Sequence, residues 1–102
     1  MIAHLEYVSD NRIHVRVFDV DAPIEYAETL FNRKEPYQGS MVITLKPKFA
    51  FVELATGMLG FKVYKQLRDY LFEAVKVKEI RWDGNGRVQK PKRRKDSKIE
   101  KR

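Results

Sequence analysis

Apolar and polar residues alternate from the first positions of the chain. Residues 2–8 alternate imperfectly, stop at the turn cluster Ser9-Asp10-Asn11, and give way to clean alternation over residues 12–18. Side chains on a strand point to opposite faces in turn, so the pattern predicts a hairpin. Its second strand has Ile13, Val15 and Val17 on one face and His14, Arg16 and Phe18 on the other. Across a two-residue turn, His4 and His14 fall on opposite faces of the ribbon. Asp19, Asp21 and Pro23 then read as a helix start, because a carboxylate caps free N–H groups and proline has none to cap. Ile24, Ala27, Leu30 and Phe31 keep one helical stripe to about Lys34, and Pro36 and Gly39 end it.

A short strand follows at residues 41–45, then a Lys46-Pro47-Lys48 connection and a strand of strict period two at residues 49–54. Ala50, Val52 and Leu54 share one face of it, and Phe49, Phe51 and Glu53 share the other. A glutamate avoids a core, so the two phenylalanines are expected on the more open face. Gly57 and Gly60 bracket the entry to the strongest helix, residues 61–75, with Val63, Tyr64, Leu67, Tyr70, Leu71 and Ala74 as its apolar stripe. Lys65 and Asp69 are spaced as an i,i+4 pair on its wet side. A last strand is expected at residues 77–82, closed by the turn signal Asp83-Gly84-Asn85-Gly86.

The predicted order is β-β-α-β-β-α-β in an α+β domain spanning residues 1–86. Without its first strand it is the βαββαβ order of ferredoxin-like domains, an antiparallel sheet with both helices on one face. The uncovered face would then carry His14, Arg16, Phe18, Phe49, Phe51, Glu53, Val77, Glu79 and Arg81.

Charge changes this picture at one end only. The chain has 102 residues and a net charge of +7. Residues 87–102 hold nine Lys/Arg against two acids, also +7, so residues 1–86 are neutral. This predicts a balanced domain followed by a basic, disordered tail in which Lys90, Lys92, Arg93, Arg94 and Lys95 attract phosphate. The tail's blander reading is a solvated extension; Lys92 to Lys95 behind Pro91 also fit a nuclear localisation signal in a eukaryotic or viral source. Otherwise the absence of a signal-like or membrane-length apolar run points to a soluble, cytoplasmic protein.

Little in the sequence points to catalysis. With no cysteine, thiolate nucleophiles, thiolate metal sites and disulfides are excluded. Three serines and two histidines offer no G-x-S-x-G, and His4 and His14 lack metal-ligand spacing. The Asp83–Gly86 stretch lacks the further ligands of a calcium loop. No catalytic residue, metal or cofactor is expected.

Two family resemblances bear on function. Phe49-Ala50-Phe51-Val52 resembles the second half of the RNP1 signature of RNA recognition motifs, with Pro47 and Lys48 where a basic residue and glycine belong and Leu54 in place of the last aromatic. Residues 13–18 resemble a loose RNP2 with His14 at the stacking position. The resemblance spans about residues 12–82 and implies RNA rather than duplex DNA as partner, with aromatic rings stacking on bases. The segment 49–82 also looks like the strand–turn–helix–strand unit of GNAT acetyltransferases, whose turn grips a coenzyme A pyrophosphate, although Gly57-x-x-Gly60 supplies only part of that family's glycine motif.

The leading expectation is therefore an RNA-binding accessory protein using Phe49, Phe51, His14, Arg16 and Arg81, helped by the tail. The alternatives are a protein-interaction module or enzyme inhibitor with the aromatic face as interface, including a homodimer, and a reduced acyl-CoA binder.

Overall fold

The computed structural model describes residues 1–57, 60–83 and 87–89, with side chains for 1–53 and 60–83. Strands β1 (Ile2–Ser9) and β2 (Arg12–Phe18) form the expected hairpin, followed by α1 (Tyr26–Asn32), β3 (Gly39–Leu45), β4 (Phe49–Gly57), α2 (Phe61–Asp69), β5 (Glu79–Trp82) and β6 (Arg87–Gln89). The six strands form one mixed sheet in chain order, β1-β2-β3-β4-β5-β6.

That order corrects the expectation in three respects. The sheet is not wholly antiparallel, because β4 and β5 run parallel, joined through α2. The strands lie in sequence, so the RNP2-like β2 and the RNP1-like β4 are separated by β3. The sheet also continues into β6, antiparallel to β5, within a segment expected to be unstructured. The remainder of the expected tail, residues 90–102, lies outside the described residues, as do Met58, Leu59 and residues 84–86 of the turn signal.

The helices lie on opposite faces, not on one. Val63 and Leu67 of α2, with Leu71 beyond it, pack on Ala3, Ile13, Val15, Val17, Ile43, Val52 and Ile80 in the main core. Ala27 and Leu30 of α1 pack instead on Ile2 and Phe18, whose side chains project from the other face. A stripe of apolar residues tells a helix to bury one side; it does not say which face of a sheet will receive it.

The expected aspartate caps are not made. The N-cap of α1 is Glu25, without a side-chain capping bond, and the turn before it closes through Tyr26 N–H to Pro23 O at 2.9 Å. Helix α2 begins as expected but becomes π-helical over Tyr70–Val75 and ends at Lys76 in the left-handed region, φ 67°. The Lys65–Asp69 pair forms at 2.9 Å and holds the Asp69 carboxyl below its usual range, chiefly through that hydrogen bond.

Two bulges set side-chain parity. The β1–β2 register shifts between Tyr7 and Ser9, leaving His4 opposite Arg16 and His14 opposite Glu6. Cross-strand partners share a face, so His4 and His14 are on the same side, against expectation. The β3–β4 register shifts between Ser40 and Val42, where β4 carries one extra residue.

Candidate functional site

The sheet face that receives α1 is covered only in part. Helix α1 sits over β1 and the end of β2, where Phe31 stacks on His4 with ring centroids 4.1 Å apart, almost parallel at 10°. The Arg16 guanidinium lies 4.9 Å from the Phe31 centroid and bonds Glu6 at 2.8 Å. Burial lowers the His4 pKa; Arg16 acts in the same sense, while Glu6 and Glu28 oppose it. Beyond this block no helix packs on the face among the described residues.

The register places the expected contact residues together on this face. His14 pairs with Val42, Val42 with Glu53, and Thr44 with Phe51. Phe51 in turn pairs with Arg81, and Phe49 with Glu79. Phe49, Phe51 and Glu53 are each half-buried, which agrees with the parity read from the sequence. Phe18 is the exception, buried under α1 with Ile2. Val77 also departs, since it joins the core on the opposite face.

Local chemistry then shapes the surface. Arg81 lies 3.8 Å from the Phe49 ring centroid and bonds Glu79 at 3.0 Å, so the guanidinium is held over an aromatic ring. His14 and Phe51 are two strands apart and offset by two residues along them, roughly 12 Å at ordinary strand spacing, too far to stack on one base. Between α1 and β3, Tyr37 is 49% exposed and edges against Phe18 at 6.4 Å. Tyr37, His14, Arg16, Ser40 and Val42 line a groove of about 250 Å³ at the side of this surface.

Sequence reasoning missed a basic cluster at the opposite end. The β3–β4 hairpin carries Lys46 and Lys48, and the connection into β5 carries Lys76 and Lys78. Lys78 N–H donates to Lys48 O at 2.9 Å, which joins the two connections at the start of the parallel pair. All four lysines are exposed, and none forms an ion pair among the described residues. Sequence could supply the two Lys-x-Lys connections, but only parallel pairing of β4 and β5 brings them together next to Phe49.

Lys90, Lys92, Arg93, Arg94 and Lys95 lie outside the described residues. Among the described residues no group of acidic and histidine side chains could hold a metal ion, and no helix is long and apolar enough to cross a membrane. No family model, curated protein or solved structure matches the chain.

Proposed function

We propose that the protein binds single-stranded nucleic acid, RNA in preference to duplex DNA, across the open face of its sheet. One observation carries the reading: Phe49, Phe51, His14 and Arg81 share an uncovered face whose end is flanked by Lys46, Lys48, Lys76 and Lys78. Rings and a stacked guanidinium take bases of any identity, while unpaired lysines take phosphates. Arg16 and Tyr37 would meet a strand leaving the other side. An open sheet face of this kind favours splayed single-stranded bases, because duplex base edges are reached only through a groove. The ferredoxin-like and RNP parallels are looser than the sequence implied; the proposal stands on the shared face and its lysines.

The test is a titration of labelled single-stranded RNA with the full chain and with residues 1–89, at low and physiological salt. Residues 1–89 should bind at low salt. Phe51→Ala should weaken that binding by about tenfold, the loss of one stacked base. If 1–89 does not bind and Phe51→Ala leaves the full chain unchanged, the sheet is not a platform.

A second reading is favoured by the β4–α2–β5 crossover. Strand β4 runs to Gly57, whereas its pairing with β5 ends at Val52 opposite Trp82, and Gly60 opens α2 with φ +76°. This parallel pair joined by a strand–turn–helix unit is the part that resembles GNAT enzymes, and it would accept an acyl-CoA at the strand ends. Millimolar coenzyme A should then raise the melting temperature; an unchanged temperature rules that reading out.

A further inference from the structure

Among the described residues, strand β1 is a free edge of the sheet, at the far side from β5 and β6. Its backbone polarity follows from two hydrogen bonds. Val17 O accepts from Gln38 N–H at 2.8 Å, on the β3 side of β2. Val17 and its β1 partner Ala3 are therefore a non-hydrogen-bonded pair of the first hairpin, and Ala3 directs its amide and carbonyl outward. Gln66 confirms this by reaching over from α2 to donate to Ala3 O at 3.3 Å. With period two, Leu5 and Tyr7 present their amides and carbonyls to the same open side.

This edge lacks the usual protections. Residues 2–7 contain no lysine and no proline, and the bulge comes only after Tyr7. It is instead the floor of a mostly apolar groove of about 370 Å³. One wall is the start of α1, with Ile24, Glu25 and Glu28; the other is Gln66 and Tyr70. Ile24 is exposed, as are Tyr7 and Val8 along the strand. Tyr7 and Tyr70 share a hydroxyl hydrogen bond of 2.6 Å that ties strand to wall.

Two observations within the groove point to a ligand. Among the described residues, the buried side-chain atoms with no hydrogen-bond partner are His4 Nδ1 and Gln66 Oε1. Both residues line this groove. Buried polar atoms are ordinarily satisfied by protein or water, and both exceptions among the described residues belong to this one groove. The charged groups on the α1 wall are carboxylates, Glu25 and Glu28, with no lysine or arginine among the lining residues.

We propose that the β1 edge binds an extended basic peptide segment, which adds to the sheet as a further strand. Backbone bonds to Leu5 and Tyr7 and to the Ala3 amide, whose carbonyl is already engaged by Gln66, hold it, the usual basis of strand addition. Alternate lysine or arginine side chains face Glu25 and Glu28, and the intervening apolar side chains face Leu5 and Tyr70. A second copy of this chain fits less well. Antiparallel pairing of two β1 edges keeps both α1 helices on one face, which sets Glu25 and Glu28 of each copy toward the other acidic pair. The proposal is independent of the nucleic-acid reading, which concerns the other half of the sheet.

The test uses the full chain and a fluorescein-labelled octapeptide of alternating lysine and valine, with alternating glutamate and valine as control. The chain carries +7 overall, so general electrostatics oppose the basic peptide and favour the acidic one. The expected result is saturable binding of the lysine peptide, weakened about tenfold by Glu25→Lys with Glu28→Lys. Hydrogen exchange at the Leu5 and Tyr7 amides should slow about tenfold at saturation. The proposal is overturned if the lysine peptide fails to bind at about 1 mM, or if the glutamate peptide binds equally. It is also overturned if the charge reversals have no effect, or if protection appears at another strand. A concentration-dependent dimer that protects Leu5 and Tyr7 without peptide would assign the edge to a second copy and overturn it as well.

Discussion

His4 lies flat against Phe31, within the fields of Arg16 from β2, Glu6 from its own strand and Glu28 from α1. Burial dominates and pushes its pKa below 6.5, so the folded protein binds this proton more weakly than the unfolded chain does. By linkage, the stability contribution is complete above pH 6.5 and is lost as pH falls through the lowered folded value. Thermal melts between pH 7.5 and about 5 should show that loss, and His4→Gln should abolish it within this window. An equal slope in the variant would place the titration elsewhere. This role was not legible in the sequence, because the Val8 bulge moves His4 to the His14 face and α1 then covers it. His14, Phe49 and Phe51 were legible for the opposite reason. Between bulges, strict alternation fixes a side chain's face whatever the order of the strands.

At the scale of elements, every strand and helix except β6 was visible in the pattern, while the strand order and the sheet face each helix packs on were not. Helix α1 has only seven residues and no side-chain cap, too short to persist without tertiary contacts. Its hold on the sheet comes from Ala27, Leu30 and Phe31, the last through the stack on His4. Phe31→Ala should cost roughly 2 kcal/mol, below the range for a fully buried phenylalanine because the ring is half-exposed. Amides of α1 should then exchange much faster than those of β3, readable by hydrogen exchange. Uniform acceleration throughout the sheet would mean instead that α1 unfolds only with the whole domain. Strand β6 is the complementary case. Three residues in a strongly basic stretch give no usable periodicity, and among the described residues they pair as a strand with β5 alone. Residues 1–89 should consequently melt higher than residues 1–86, which lose that pairing.

Across the whole molecule, sequence neutrality over residues 1–86 concealed local imbalance. The domain's twelve basic and twelve acidic residues are unevenly spread: Lys46, Lys48, Lys76 and Lys78 gather at one end of the sheet, and Glu25 and Glu28 flank the opposite edge. That separation depends on strand order, and order requires knowing that β4 pairs parallel with β5. The sequence placed the net positive charge in the tail; the fold adds a local group of four lysines in the domain, so under the nucleic-acid proposal both would contribute to phosphate attraction. Salt dependence can apportion it, since each phosphate contact on a single strand adds about −0.7 to the slope of log K against log salt. If all four lysines engage, residues 1–89 should give a slope of ~−3, and Lys48→Gln with Lys78→Gln should reduce its magnitude by ~1.4. The full chain should be steeper by the tail's contacts and fall by the same ~1.4 in the double variant, because the two clusters act on separate phosphates. A slope near zero for 1–89, with all the salt dependence retained by the full chain, would return the electrostatics to the tail and leave the sheet with stacking alone.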